Sequence, residues 1–168
     1  MQILTTFIES TLNEQFPGAL LQIEEQYDFP VFIIANDQVK NVLKFLKENK
    51  DTDFHFLTTL CCIHYNLNTA DKEFAMMYQL HNMPKGWRIR IKTFLPKDEL
   101  TVPTVTDLWP AANWLERQEF DFFGIFFDGH PNLKRILNMD EMNYHPMRKE
   151  YALEDFGRTD KDDKMFGR

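Results

Sequence analysis

Five side chains in the second half of the sequence could bind a metal ion or exchange protons. They are carboxylates and imidazoles: Glu116, Glu119, Asp121, His130 and His145. No HExxH or EF-hand spacing organises them, and an acid beside an arginine on a helix is more often half of an ion pair. We therefore predict no catalytic residue and no metal site here. A free-standing enzyme that uses this acidic cluster is the less favoured alternative.

The sequence also lacks the usual signs of a redox cofactor site. Its six glycines form neither GxGxxG nor GxxxxGK[ST], so no nucleotide-binding loop is predicted. Cys61 and Cys62 are the only cysteines, whereas an Fe–S cluster normally takes four thiolates, and adjacent residues do not easily form a relaxed disulfide. We expect reduced thiols in a buried strand, and no site for NAD, FMN or a cluster in this chain.

Composition favours one domain with a core and an appendage. The chain has 168 residues, of which 43% are hydrophobic, and its net charge of −7 provides no basic surface for nucleic acid. Its apolar stretches are well short of the roughly 20 residues that span a bilayer. The first 16 residues contain no Lys or Arg, which disfavours a cleaved signal or transit peptide. We therefore expect residence on the cytoplasmic side.

The acidic cluster is predicted to lie on a helix that ends at Gly124. Asp107 is the predicted N-cap and Pro110 falls in the first turn. Arg117 and Asp121 are four residues apart and are predicted to pair. The predicted apolar face consists of Leu108, Ala111, Ala112, Leu115 and Phe122. After Gly124 the chain is expected to run extended into a turn at residues 128–131.

The region before this helix alternates between helical and strand periodicity. Helices are predicted over residues 3–16 and, after Asn36 and Asp37 as a cap, over residues 39–46. Strands are predicted at 20–23, 30–35, 54–65, 74–80 and 87–91, with turns at 66–72 and 82–86. The predicted fold class is therefore α+β, with a mostly antiparallel sheet packed with helices.

From Asn138 onward the chain becomes strongly charged, and its apolar residues have no period. Such a segment does not build a core of its own. We therefore divide the chain into an α+β domain at 1–137 and an extended charged tail at 138–168. The tail is suited to docking on partner subunits, with ordering that accompanies binding, and its last ten or so residues are expected to fray.

Residues 114–137 read WLERQEFDFFGIFFDGHPNLKRIL. This run resembles the signature of the 30-kDa subunit family of proton-pumping NADH:quinone oxidoreductase, respiratory complex I, whose pattern is ERE, then YDMFGI, then GHPDLRRIL. The similarity continues on both sides, so its specific part spans residues 102–151. Departures from the pattern are Gln118, Lys134, Tyr144, Met147 and Glu150, while Thr59 and His64 stand where the family often carries acids.

The resemblance implies a cofactor-free structural subunit in the hydrophilic arm of this enzyme. In the holoenzyme, electrons pass from NADH through FMN and Fe–S clusters in partner subunits to a quinone. The implied partners are the quinone-site subunit and the Fe–S subunits, and the implied location is the cytoplasmic face of the inner membrane, peripheral and reached only through the complex. The isolated chain is expected to be non-catalytic.

Two sets of residues are predicted to orient and dock the chain. The corner set, where the helix meets the following turn, is Glu116, Arg117, Asp121, Gly124, His130, Pro131, Lys134 and Arg135. Lys134 and Arg135 could form salt bridges to an acidic partner. The second set lies in a docking strap at residues 144–151 and is Tyr144, His145, Pro146, Arg148, Lys149 and Tyr151.

Two further alternatives stay open. The aromatic run from Phe120 to Phe127 could be a quinone-binding face, although packing in a core or interface is favoured because aromatics supply large buried area. The electron donor could also differ, since related subunits occur in membrane-bound hydrogenases and in ferredoxin- or F420H2-linked quinone oxidoreductases.

Overall fold

The computed structural model describes residues 2–65 and 72–151. The first half contains helix α1 (Gln2–Gln15), strands β1 (Leu20–Gln26) and β2 (Phe29–Ile34), a short 3-10 turn (Asn36–Gln38) and helix α2 (Val39–Glu48). Three long strands follow, β3 (Phe56–His64), β4 (Phe74–Asn82) and β5 (Trp87–Leu95). The last elements are β6 (Thr101–Pro103), α3 (Ala112–Phe123) and β7 (Phe126–Asp128).

The main sheet has five strands in the order β1-β2-β5-β4-β3. Three neighbouring pairs are antiparallel, whereas β2 and β5 run parallel, because α2, β3 and β4 intervene between them in the chain. A second, two-stranded parallel sheet joins β6 to β7. The α+β class with a mostly antiparallel sheet is therefore confirmed. The predicted turn at residues 66–72 lies almost entirely outside the described residues.

The core follows the predicted periodicities. Strand residues such as Leu60, Tyr78 and Ile91 are buried with one face of α2, which consists of Val39, Val42, Leu43 and Leu46. Of the two cysteines, Cys62 is buried and Cys61 is half-buried, and both are free thiols in β3. Among the described residues, the structure has no helix that is long and apolar enough to span a bilayer.

Helix α3 begins later than predicted, so Asp107 is not its N-cap. The helix starts at Ala112, and residues 105–111 form turns in which Leu108 and Trp109 donate to the Val105 carbonyl. The residue before a proline is disfavoured in the helical region, which explains why no regular helix includes Trp109 and Pro110. Asp107 instead forms an exposed ion pair with Lys40 at 3.1 Å.

The predicted apolar face of α3 is only partly confirmed, because Leu108 and Ala112 are in the core and Leu115 packs against it, whereas the other two residues do not. Ala111 is exposed, Leu115 and Phe122 are only half-buried, and Leu108 lies outside the helix. Apart from Ala112, the side chains that α3 buries are charged: Glu116, Arg117, Glu119 and Asp121. A helix that buries four charged side chains must provide each of them with hydrogen-bond partners. These partners define the candidate site.

Candidate functional site

One stripe of α3 binds the loop that follows β7. His130 Nε2 lies 3.2 Å from the carbonyl of Asn113, and Arg117 donates to the carbonyls of Lys134 and Arg135 at 3.1 Å each. The Asp121 carboxylate then accepts from the backbone at residues 136–138. Positions 113, 117 and 121 share one helix face. The segment 129–138, which we call the corner loop, therefore runs alongside α3 in the same direction.

Asp121 is the most heavily bonded side chain of this arrangement. Its Oδ2 accepts from the backbone N–H groups of Ile136, Leu137 and Asn138 at 2.8–3.1 Å. Its Oδ1 accepts from Arg135 Nη1 at 2.7 Å and from Asn138 Nδ2 at 3.0 Å. Burial raises the pKa of Asp121, but the hydrogen bonds from Asn138, Leu137 and Arg135 outweigh it and lower this pKa well below its usual value.

The predicted ion pair between Arg117 and Asp121 is wrong. The oxygens of Asp121 are occupied by Arg135, Asn138 and the loop backbone, so the charge of Asp121 is compensated from the loop and not from its own helix. Arg117 reaches the carbonyls of the corner loop and lies over the Trp114 ring, with its guanidinium carbon 5.1 Å from the ring centre. Helical spacing placed Arg117 and Asp121 on one face of the helix but did not identify their partners.

The strap caps the C-terminal end of α3. The carbonyls in the last turn of a helix have no partner within it and carry partial negative charge. Here the Asp121 carbonyl accepts from Arg135 Nη1 and His145 Nδ1, both at 3.0 Å. The Phe122 carbonyl accepts from the backbone N–H of Met147 at 3.2 Å, and the Phe123 carbonyl from Arg148 Nε at 2.7 Å. Burial lowers the pKa of His145, which favours the neutral imidazole at this position.

Gly124 is required here for two physical reasons. It ends α3 in the left-handed region with φ +74°, as predicted, and its N–H bonds to the Phe120 carbonyl at 2.9 Å. A Cβ at this position would lie 2.6 Å from the His145 ring and 2.7 Å from Arg148 Nη2. The strap therefore passes directly over a residue without a side chain.

Arg135 connects the corner loop to the strap. Besides its two bonds to Asp121, its Nη2 donates to the carbonyl of Met142 at 2.7 Å and to that of Tyr144 at 2.9 Å. Lys134 has a different environment, because its side chain is exposed and only its carbonyl takes part in the corner. A salt bridge from Lys134 to an acidic partner stays a prediction, whereas Arg135 is used within the chain.

The other predicted residues occupy supporting positions. His130 Nδ1 accepts from the Asn132 N–H at 3.0 Å, so its Nε2 carries the proton that it donates to Asn113 and the imidazole holds the turn. Pro131 is exposed, Pro146 is half-buried, and the rings of Tyr144 and Tyr151 are 5.1 Å apart. The structure brings the corner and strap residues together, while their contacts with partner subunits stay predictions.

Glu116 and Glu119 lie apart from this network and connect α3 to two other elements. Glu116 accepts from the backbone N–H of Val105 at 2.7 Å and from the Thr104 hydroxyl at 2.5 Å. Glu119 accepts from the backbone N–H of Cys62 at 2.8 Å, so it caps a donor of the edge strand β3. Burial outweighs these hydrogen bonds and raises the pKa of both carboxyls to about 7.

The acidic cluster of the sequence is therefore divided among three structural roles. Glu116 holds the segment after β6, Glu119 holds the edge of the main sheet, and Asp121 holds the corner loop. Within residues 2–65 and 72–151, no three His, Cys, Asp or Glu side chains form a group suited to a metal ion. The aromatic run is divided too, since Phe127 is buried, Phe126 is exposed and Phe120, Phe122 and Phe123 are half-buried.

Three contributors were not assigned from the sequence: Asn138, Thr104 and His64. Asn138 and Thr104 carry no motif, and only the path of the loops brings them to the carboxylates. His64 offered a signal, because it continues the buried face of β3 after Leu60 and Cys62, where strand alternation calls for an apolar residue. Its Nδ1 accepts from the backbone N–H of Lys149 in the strap at 3.0 Å.

The fold and the corner together define a class of protein: an α+β domain with a five-stranded main sheet and a small second sheet, whose helix α3 is closed by residues 129–151 of the same chain. The family model for the 30 kDa subunit of respiratory-chain NADH dehydrogenase matches residues 32–157. The chain therefore belongs to this family of respiratory complex I subunits.

Relatives in two named organisms agree with this assignment. The corresponding NADH-quinone oxidoreductase subunit of Moorella thermoacetica is 38% identical over 92% of this chain and 99% of its own length. That of Geobacter sulfurreducens is 33% identical over 85% of this chain and 86% of its own length.

Two solved structures share the fold. The trypsin-resistant fragment of Nqo5 is 31% identical, with a TM-score of 0.62 over 75% of this chain and 98% of the fragment. A chain of the archaeal membrane-bound sulfane sulfur reductase is 25% identical, with a TM-score of 0.72 over 88% of this chain and 85% of its own.

Proposed function

We propose that this chain is a structural subunit, without a cofactor of its own, in the hydrophilic arm of a proton-pumping NADH:quinone oxidoreductase. Its role is to position the quinone-site subunit and the Fe–S subunits relative to one another. Electron transfer depends steeply on the distance between redox centres, so a fixed spacing supports the rate. The chain then resides on the cytoplasmic face of the membrane, peripherally, through the complex.

The observation that carries this proposal is the use of the signature residues within the chain. Asp121, Arg135, Gly124 and His145 are all engaged in fixing the end of α3, the corner loop and the strap. A residue set that determines the path of a surface segment suits a protein that other subunits recognise by shape. The exposed side chains of the strap, which include Tyr144, Met147 and Tyr151, are then available to a neighbour.

The free-standing enzyme is disfavoured by the same contacts. General acid–base catalysis needs a carboxyl within hydrogen-bond reach of a substrate. Glu116, Glu119 and Asp121 are each at most 3% exposed, and they accept hydrogen bonds from the chain's own backbone. A purified chain that turned over a substrate or bound a metal stoichiometrically would revive this alternative.

The second candidate function is the equivalent position in a related membrane complex with another electron donor. The similarity to a chain of the sulfane sulfur reductase complex favours keeping it. A tag on this chain, followed by purification from solubilised membranes, separates the two candidates. Recovery of a flavin-bearing, NADH-oxidising partner supports the first, whereas recovery of a complex that lacks NADH oxidation supports the second.

The assembly role is tested with charge reversals in the tagged chain. Arg135→Glu places a second acid beside Asp121 and removes the donors to Met142 and Tyr144, so we expect the amount of assembled complex to fall strongly. Lys44→Glu, on the exposed side of α2, makes the same charge change away from the corner and should leave assembly normal.

Native gel electrophoresis and the flavin and iron content of the purified complex measure the result. Normal amounts of an intact but slower complex with Arg135→Glu would contradict the structural role. Lys134→Glu adds a test of the predicted partner salt bridge, because its exposed side chain is separate from the internal network. Loss of assembly with a normally folded Lys134→Glu chain would assign Lys134 to the partner contact.

A further inference from the structure

The end of the strap contacts the main sheet at His64, which accepts from the Lys149 backbone at 3.0 Å, with a longer contact of 3.5 Å from Lys149 Nζ to the Tyr65 carbonyl beside it. We propose that His64 is a positioning residue that fixes the strap at Lys149 on this chain's own sheet, so that the strap is in place before any partner binds. This inference rests on the proposed role of residues 144–151 as the docking strap. The inference assigns a role to His64 that the sequence did not suggest, and it states that the strap is ordered before a partner binds.

The geometry of His64 defines its protonation pattern. The backbone N–H of Lys149 can only donate, so the His64 Nδ1 atom that lies 3.0 Å away must be unprotonated. The proton is then on Nε2, which lies 3.1 Å from Glu73 Oε1 and donates to it. The imidazole is therefore neutral: its Nδ1 accepts a hydrogen bond from the strap, and its Nε2 donates one to Glu73.

The environment of His64 restricts the ring to one orientation. Its side chain is 3% exposed, and the ring stacks on Phe74 with centroids 4.1 Å apart. Glu73 is held in turn by Lys97 at 3.3 Å. The hydrogen bond from His64 lowers the pKa of Glu73, which keeps this carboxylate charged and able to accept. A fixed ring presents its Nδ1 acceptor at one position, which suits a docking point for a passing segment.

The contact at His64 is the far end of a two-ended attachment. At the near end, Arg135 binds the carbonyl of Tyr144 and His145 binds the carbonyl of Asp121. At the far end, Lys149 meets His64 through its backbone, and the Arg148 guanidinium carbon lies 5.6 Å from the centre of the Phe74 ring. A segment fixed at both ends has lost most of its conformational freedom before association, so binding a partner orders less chain.

The experiment compares two substitutions that each keep one half of the imidazole. His64→Asn places an amide oxygen near the position of Nδ1 and can still accept from Lys149, but it is too short to reach Glu73. His64→Gln places its amide near the position of Nε2 and can still reach Glu73, but it loses the acceptor for Lys149. Both remove the stacked ring, so that loss is matched between them.

Hydrogen exchange of the full-length isolated chain measures the outcome. We expect the strap amides to be protected in the unmodified chain, to exchange about fivefold faster or more in His64→Gln, and to stay within about twofold in His64→Asn. Amides of β4 and β5 serve as the internal reference for global unfolding. Rapid exchange of the strap in the unmodified chain, or equal exchange in the two variants with the sheet protected, overturns the inference.

A second measurement needs no substitution. Nitrogen-15 NMR of the histidine side chains distinguishes the two neutral tautomers, and we expect His64 to carry its proton on Nε2 with Nδ1 accepting. A proton on Nδ1 in the folded chain would overturn the inference even if both variants failed to fold. Assembly assays with His64→Gln separate the two proposals. A freed strap with normal assembly would contradict the docking role of the strap and leave the positioning role of His64 intact.

Discussion

Asp121 and Arg135 form an ion pair that is almost wholly enclosed, with Arg135 Nη1 2.7 Å from Asp121 Oδ1 and side-chain exposures of 9% for Arg135 and 0% for Asp121. A buried ion pair stabilises a fold only when its remaining hydrogen-bonding groups are satisfied, and here both oxygens of Asp121 and both Nη atoms of Arg135 have further partners. The pair fixes three segments at once. Asp121 accepts hydrogen bonds from the corner loop, while Arg135 donates to the end of α3 and to the start of the strap.

Asp121→Asn tests this pair with little change in shape. At neutral pH the variant leaves Arg135 buried without its counter-ion and turns an amide toward backbone donors, so we expect a loss of about 3–5 kcal/mol in the free energy of unfolding. The pKa of Asp121 is lowered in the folded chain. The stabilisation is therefore complete above its ordinary pKa and is lost as the pH falls through the folded value.

Chemical denaturation at pH 7 and pH 3 provides the measurement, and the difference between the two chains should shrink at the lower pH. Asp107→Asn is the matched control, because Asp107 forms an exposed ion pair with Lys40 at 3.1 Å. Such pairs contribute about 0–1 kcal/mol, so this control should unfold almost as the unmodified chain does. A similar loss in both variants would mean that the buried ion pair of Asp121 contributes no more to stability than the exposed ion pair of Asp107.

The sequence predicted much of the scaffold because its signals are local. Strand alternation in β3 to β5, the apolar stripe of α2 and the stop at Gly124 each depend on residues a few positions apart. The partner of Asp121 was not predictable in this way, because Arg135 is fourteen residues further on and reaches it only through the path of the corner loop. Helical spacing indicates which side chains share a face, whereas the path of the corner loop determines which groups form hydrogen bonds with them.

Non-local effects also explain two other differences between the sequence-based prediction and the structure. Asp107 has the right chemistry for an N-cap, but Pro110 delays the helix beyond it. His64 contacts a strap residue eighty-five positions away, so no local pattern could have paired them.

Gly124→Ala tests the close passage of the strap over the end of α3. The alanine adopts an unfavourable left-handed conformation at φ +74°, and its Cβ collides with His145 and Arg148. Gly86→Ala is the matched control, because Gly86 has φ +63° and open space around it among the described residues.

We expect Gly86→Ala to cost about 1 kcal/mol from backbone strain alone, which is near the usual penalty. Gly124→Ala should cost at least about 1 kcal/mol more, with faster hydrogen exchange in the strap, because a displaced His145 and Arg148 leave the α3 carbonyls uncapped. Denaturation and exchange of both variants measure this. Equal losses, with the strap still protected in Gly124→Ala, would show that the glycine serves only the backbone turn.

Glu119→Gln tests whether the carboxylate at the edge of β3 opposes folding at neutral pH. Burial raises the pKa of Glu119 to about 7 in the folded chain, from an ordinary value of 4.5. The folded chain therefore retains a proton that the unfolded chain has released between these two values. Titration of Glu119 therefore leaves the free energy of unfolding unreduced below pH 4.5 and lowers it as the pH rises toward and through 7.

Glutamine has no charge to bury, and its amide oxygen can still accept from the Cys62 N–H. We expect Glu119→Gln and the unmodified chain to have similar stabilities near pH 4.5, and the variant to be more stable by a few kcal/mol, on the order of 3, at pH 8.5. Glu14→Gln, on the exposed side of α1, controls for the removal of one negative charge. A difference between the Glu119→Gln and unmodified chains that stays constant from pH 4.5 to 8.5 would contradict the buried, proton-retaining state of Glu119. A variant that is less stable than the unmodified chain at pH 8.5 would show instead that the charged carboxylate is a better acceptor for the Cys62 N–H than the amide is.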